Sequence, residues 1–376
     1  MNGNISQTEN KKIDLENVRP GMVTAKEVVS QSGTVLLAKN VLISQATLKK
    51  LFESDVKEIV VKRVNINIDK LAQKKGMQDF NEGPAKPVVP VSVAERPDFR
   101  EFEQEYDKKF EVAKDTLKAI SDGAQIDLDE LTEFTDGIIN KLKCKSDILT
   151  FIGFLKSYDE YTFSHSSNVA LLCNLFASWL RLSDEETTYL TAAGFLHDIG
   201  KLKIPHSILN KQTRLTDKEY EIMKKHTILG YRILQTQNIP NEIKLGALMH
   251  HEKIDGTGYP LGVTHEKISK YARIIAICDI YDAMTSDRVY RGRICPFEVI
   301  KKFQISSYGE LDTTYLLVFL KNIAYTYYGS WVKLNDGRSG EIVFINPTDL
   351  SRPMVRVGEE IIDLHEREEL DIIGVI

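Results

Sequence analysis

With 376 residues and 42% hydrophobic positions, the chain is long enough for two or three domains with a substantial apolar core. A net charge of -5 excludes a nonspecific nucleic-acid binder, which needs a basic surface, so no nucleic-acid polymer is expected as a partner. The four cysteines, Cys144, Cys173, Cys278 and Cys295, lack CxxC spacing, which argues against a thiolate zinc site or a disulfide framework.

The N-terminus, MNGNISQTENKKIDLENVRP, is polar and has no apolar signal-peptide core. No run approaches the ~18 apolar residues of a spanning helix, so a cytoplasmic protein without a membrane span is expected. Residues 1–66 read as a small α+β module. Short Val-rich segments (22–29, 34–37, 58–61) flank a helix predicted over 44–52, with turns at Arg19-Pro20-Gly21 and Ser32-Gly33. Residues 67–97 are polar and gather Pro84, Pro87, Pro90 and Pro97, a linker composition.

Helical periodicity begins near Phe99, giving a helical connector over 98–145 and an all-helical domain over 146–328. Capping boxes are predicted at Ser183 with Glu186 and at Thr216 with Glu219, and DGTGYPLG (255–262) breaks the helical pattern. Residues 329–376 read as a small β module: a hairpin across Asn335-Asp336-Gly337, then strands near 355–357 and 361–362. About 45 such residues bury little core alone, so this module should pack on the helices. The expected fold class is mainly α, an all-helical domain flanked by a small α+β and a small β module.

Chemistry concentrates in the helical domain. In FLHDIGKLKIP (195–205), His197 and Asp198 close an apolar helix and Lys201 follows in a glycine turn. Downstream come His226, the consecutive His250 and His251, and Asp279 inside AICDIYDAM. Imidazole and carboxylate suit borderline to hard divalent ions such as iron, manganese, zinc or nickel. His226 falls on one stripe with Ile222, Leu229 and Ile233, where a single histidine is as well read as a packed core residue. Asp279 has Ala272, Ile275, Ala276 and Ala283 near its face; a carboxylate there needs a cation, a metal or dense hydrogen bonding. His165 heads another apolar helix, either as a seventh ligand or as a packed residue. His206 edges the active loop, whereas His265 and His365 read as surface positions. Two ions about 3.5 to 4 Å apart can hold a shared hydroxide that is nucleophilic at neutral pH, and Lys201 can turn its ammonium toward a phosphate.

His197-Asp198-Ile199-Gly200-Lys201, His226, HHEKIDGTGYP (250–260) and AICDIYDAMTSDRVYR together resemble the HD-GYP domain, a subgroup of the HD phosphohydrolases, over roughly residues 146–324. The resemblance implies a metal-dependent phosphodiesterase that hydrolyses cyclic di-GMP by a metal-bridging hydroxide, with pGpG or GMP as the end product. It implies His165, His197, Asp198, His226, His250, His251 and Asp279 as metal ligands, Asp198 and Lys201 as catalytic, and Lys201, Gly258, Tyr259, Pro260, Arg288 and Arg291 as substrate contacts. Two divalent ions are implied, iron or manganese ahead of zinc or nickel, because Tyr161 stands where some members carry a glutamate for a third metal. His206 departs from an acidic residue frequent in the family. Residues KIDLENVRPGMVTAKEVV and VKLNDGRSGEIVFINP resemble modules found before and after such domains.

Lys201, Lys203, Lys211, Arg214, Arg288, Arg291 and Arg293 supply local cations for a doubly charged cyclic dinucleotide, with arginine forks suited to phosphate and Tyr259 placed to stack a guanine. The competing reading is a cyclic-dinucleotide-binding signalling protein with slow or no turnover. A second copy of the chain or signalling proteins are the partners such a protein would take.

Overall fold

The computed structural model describes residues 10–14, 25–26, 28–29, 35–37, 51, 56–62, 93–142, 147–155, 161–286, 294–307 and 309–376. The chain divides into two compact units, Met1–Pro87 and Val88–Ile376. In the first, β1 (Asn10–Asp14) pairs antiparallel with β4 (Glu58–Lys62), Lys12 opposite Val60, and β2 (Val28–Val29) pairs with β3 (Val35–Leu37). Strand β1 reads NKKID, too polar to register as a strand in the sequence. Of the helix predicted over 44–52, only Leu51 is described; it is helical and buried.

The second unit opens with a short 3-10 turn, Val93–Glu95, and α1 (Pro97–Ser121). Pro97, in the stretch read as linker, is the first helical residue, where its missing N–H removes no helical bond. Phe99, Phe102, Tyr106, Phe110, Ala113, Leu117 and Ile120 recur every three or four residues and are buried. That stripe joins the core shared with α2 (Leu128–Ile139), α3 (Asp147–Phe154), α4 (Tyr161–Leu180) and α5 (Asp184–Leu196). Residues 98–142 are therefore packed into the helical core along their length.

After α5 come a 3-10 turn (Ile199–Lys203), α6 (His206–Leu209), α7 (Asp217–Lys224), α8 (His226–Gln235) and α9 (Asn241–Met249). The 255–262 break follows, then α10 (Lys270–Thr285), α11 (Pro296–Ser306) and α12 (Thr313–Thr326). Both predicted capping boxes form, at Ser183/Glu186 and Thr216/Glu219. The predicted stripe through Ile222, His226, Leu229 and Ile233 does not form as one face. Lys225 separates α7 from α8, and the buried positions are His226, Thr227, Gly230 and Leu234. Cys173, Cys278 and Cys295 are buried free thiols.

The C-terminal strands β5 (Trp331–Leu334), β6 (Ser339–Phe344), β7 (Met354–Val357), β8 (Glu360–Asp363) and β9 (Ile372–Val375) form one antiparallel sheet in the order β8-β7-β6-β5-β9. Val332, Leu334, Ile342, Val355, Ile362 and Ile372 belong to the same cluster as the helical core. At about 1.5–3 kcal/mol for each large apolar side chain buried, that shared face holds the sheet in place. No helix among the described residues is long and apolar enough to cross a membrane.

Candidate metal centre

Helix ends deliver most of the metal-competent side chains. His197 caps the C-terminus of α5, and Asp198 opens the 3-10 turn that follows. His226 is the first residue of α8, while His250 and His251 follow the last residue of α9. Asp279 projects from within α10 and His165 from the first turns of α4. Gly200 lets these ends meet: a Cβ there would overlap the carbonyl oxygen of His226 and the amide of Gly230.

The side chains converge into two groups. Asp198, His226, His250 and His251 bring one ligand atom each within 4.8 Å of one another, as do His165, His197 and Asp279. Asp198 faces both groups. Its Oδ1 lies 3.3 Å from His226 Nε2 and 3.7 Å from His250 Nε2, and its Oδ2 lies 3.3 Å from His197 Nε2 and 3.7 Å from His165 Nε2. His165 Nε2 is 3.0 Å from Asp279 Oδ1, and His251 Nδ1 is 3.9 Å from Asp279 Oδ2. All seven predicted ligands are therefore brought together.

Hydrogen bonds fix the tautomers. A carbonyl oxygen only accepts, so His197 Nδ1 donates to Gly194 O at 2.6 Å, His226 Nδ1 to Met223 O at 2.8 Å, and His250 Nδ1 to Gly246 O and Ala247 O at 3.1 Å. In the neutral rings each Nε2 is then a bare lone pair aimed inward. The Nε2 atoms of His226 and His250 face each other at 3.3 Å, with the Asp198 carboxylate beside them. His197 Nε2 and Asp198 Oδ1 are buried without a hydrogen-bond partner. Acceptors crowded this way repel one another unless a cation sits among them, and the donor set suits a divalent metal.

The electrostatics agree. Burial lowers the pKa of His226 to about 3 and moves those of His197 and His251 down, which keeps the three rings neutral and able to ligate at pH 7. Burial alone would raise Asp198, but the charge of the Lys201 ammonium outweighs it and holds the carboxyl well below the usual range. Asp279 is likewise held far below that range, its burial outweighed by His165. His165 runs the other way. Burial opposes its charge, yet hydrogen bonds to Asp279 and Asp282 raise it to about 9. To ligate a metal, His165 must give up the proton on Nε2. Manganese affinity is therefore expected to climb by about tenfold per pH unit, for one displaced proton, until about pH 9. Titrating chelator-stripped protein with Mn2+ from pH 6.5 to 8.5 checks this; an affinity independent of pH would refute it.

Lys201 Nζ donates to Asp198 Oδ2, so the turn returns its ammonium onto the carboxylate itself. The Gly258–Pro260 loop lies on the rim of the site. A Cβ at Gly258 would come within 2.5 Å of Glu252 Cα, and Tyr259 N donates to His251 O at 3.2 Å. The Tyr259 ring lies 4.8 Å from the His251 ring at 30°, and Lys224 Nζ sits 5.7 Å from Tyr259 and 5.4 Å from Tyr220.

Other expected cations are engaged elsewhere: Lys203 pairs with Asp122 and Lys211 with Glu219. Arg288, Arg291 and Arg293 lie outside the described residues. His206 is exposed and belongs to neither ligand group, and His265 pairs with Asp312.

Sequence reasoning missed Asp282, Asn168, Glu252 and Lys224. Buried Asp282 accepts from His165 Nδ1 at 2.7 Å, and buried Glu252 accepts from the amides of Leu261 at 2.6 Å and Val263 at 3.2 Å, clamping the loop. A signal existed for Asp282: it lies one helical turn from Asp279 in an otherwise apolar helix.

Residues 150–312 match the family model described as the HD domain. This chain carries an HD domain. HD-domain phosphohydrolases are metal-dependent, and the match spans both ligand groups from His165 to Asp279 while leaving α1 and α2 outside it. A cyclic di-GMP phosphodiesterase of Pseudomonas aeruginosa is 36% identical over 236 residues, covering 62% of this chain and 57% of that protein. A cyclic di-GMP phosphodiesterase of Thermotoga maritima is 41% identical over 150 residues, 39% of this chain and 40% of that protein. A 3'3'-cGAMP-specific phosphodiesterase of Vibrio cholerae is 40% identical over 146 residues, 39% of this chain and 32% of that protein. The HD-domain chain thus spans 57% or less of the length of these relatives.

Proposed function

We propose that the HD domain, within residues 146–328, is a metal-dependent phosphodiesterase that hydrolyses cyclic di-GMP to pGpG. The observation that carries this reading is the shared Asp198, one oxygen toward His226 and His250 and the other toward His165 and His197. Two groups joined by one carboxylate are the donor arrangement a pair of divalent ions requires, with iron or manganese favoured by the mixed imidazole and carboxylate set. Such ions supply Lewis acidity, activating water at neutral pH and neutralising phosphate oxygens.

The chain's own residues do the rest. Lys201, held at Asp198 with its side chain 20% exposed, keeps an ammonium at the edge of the ligand groups for a nonbridging phosphate oxygen. Tyr259 offers a ring face beside His251 for a guanine, and Lys224 adds a cation between Tyr259 and Tyr220. Arg288 and Arg291 retain their role as phosphate clamps in this proposal, on the strength of the HD-GYP resemblance.

The substrate assignment is tested by turnover of metal-loaded protein with cyclic di-GMP, 3'3'-cGAMP and their mixture, followed by chromatography. Preferred formation of pGpG supports cyclic di-GMP. Preferred cleavage of 3'3'-cGAMP would transfer the assignment to the class of the Vibrio relative, and binding without product would sink the hydrolase. Tyr259→Ala is expected to raise KM about tenfold while kcat changes little, because one base stacked on an aromatic ring is worth ~1–3 kcal/mol. An unchanged KM would remove Tyr259 from the substrate contacts.

A further inference from the structure

A chain of hydrogen bonds runs from α1 to the ligand groups through an apolar interior. Tyr106, fully buried, donates its hydroxyl to Asn168 Oδ1 at 2.8 Å. Asn168 Nδ2 donates to Asp282 Oδ1 at 3.0 Å. Asp282 Oδ2 accepts from His165 Nδ1 at 2.7 Å, and His165 Nε2 lies 3.0 Å from Asp279 Oδ1. Donor and acceptor directions leave little freedom: a carboxylate only accepts, so the Asn168 amide must give its NH2 to Asp282 and its oxygen to Tyr106. Asp282 is completely buried, and Ser286 Oγ adds a further bond to its Oδ1 at 2.9 Å.

We infer that Tyr106, Asn168 and Asp282 are positioning residues for His165, so that α1, outside the matched HD segment, is a working part of the metal centre. The inference rests on the metal-centre reading above. Asp282 fixes the tautomer and rotation of the His165 ring, which leaves Nε2 as the ligating atom. Asn168 holds the carboxylate from its other oxygen, and Tyr106 holds the amide against flipping. Partners behind a ligating histidine of this kind are worth about 10–100-fold in metal affinity. The ring of Tyr106 has separate structural work, lying 6.0 Å from Phe102 and Phe134 and 6.2 Å from Phe110. Tyr106→Phe keeps that packing and removes only the oxygen.

The test uses full-length chelator-stripped protein, with Mn2+ binding followed by calorimetry and folding by circular dichroism. Asp282→Asn is expected to weaken the binding step that involves His165 by about 10–100-fold. Tyr106→Phe is expected to weaken the same step by about 3–10-fold, being further along the chain. The double variant should bind no more weakly than Asp282→Asn, within about twofold, because both changes cut one line. If Asp282→Asn fails to fold, Asn168→Leu makes an equivalent cut. Folded variants with wild-type Mn2+ affinity, or losses that add, would overturn the inference. Wild-type protein that binds no Mn2+ would instead overturn the metal-centre reading.

Discussion

Replacing Asp198 with alanine is expected to abolish Mn2+ binding in both ligand groups and to lower cyclic di-GMP hydrolysis by about 10³-fold or more, the scale lost with a group that organises charge in the transition state. The size of the effect follows from geometry. Asp198 puts one oxygen toward each group, and among the described residues it is the carboxylate grouped with His226, His250 and His251. Lys201 would then stand next to neutral rings without its counter-charge, so a cation arriving there meets repulsion. Asp198→Asn should fail almost as completely, which separates charge from volume. Metal-loaded Asp198→Ala protein with wild-type turnover would show that the assigned residues are not the centre.

The second large effect is expected at a residue with no side chain. Gly200→Ala places a methyl group on the carbonyl of His226 and the amide of Gly230, both backbone atoms that no rotamer change can move aside. Overpacking commonly costs 1–3 kcal/mol, and a backbone clash belongs at the top of that range, about 3 kcal/mol. For a unit the size of Val88–Ile376 that corresponds to a Tm lower by roughly 5 °C. Should the turn escape the clash by moving outward, it carries Asp198 away from His226 and Mn2+ affinity falls instead. Thermal unfolding and metal titration together cover both routes; a variant normal in each would show that the close approach is dispensable.

The cluster of candidate ligands was legible in the sequence because histidines and aspartates are conspicuous in apolar helices. His197, Asp198, His226, His250, His251 and Asp279 interrupt runs of Leu, Ile and Ala, where burying them demands a compensating partner. Capping boxes and the Asn335-Asp336-Gly337 turn were legible too, since their chemistry is confined to three or four neighbouring residues.

What escaped depends on distance along the chain. Tyr106 reads as one more aromatic in a core stripe until Asn168, 62 positions away, is seen accepting its hydrogen bond. Asp282 became meaningful only beside His165, 117 positions earlier. The break at Lys225 was hidden because the pattern through Ile222, His226 and Leu229 fits a single helix as well as two short ones. Strand β1 was hidden by polarity, and both β1 and β9 are defined by ladder pairing, not by periodicity.

Strand β9 has a consequence for the order in which the molecule can be completed. It pairs with β5, the Ile376 amide closes onto Trp331 O at 2.8 Å, and Leu370 and Ile372 join the core that also holds Phe297 and Ile300 of α11. During synthesis, that apolar flank of the helices therefore stays open until Leu370 and Ile372 have been made. A chain halted ahead of Leu370 would carry both candidate ligand groups and yet lack the strand that closes this core, leaving it exposed to aggregation or to chaperones.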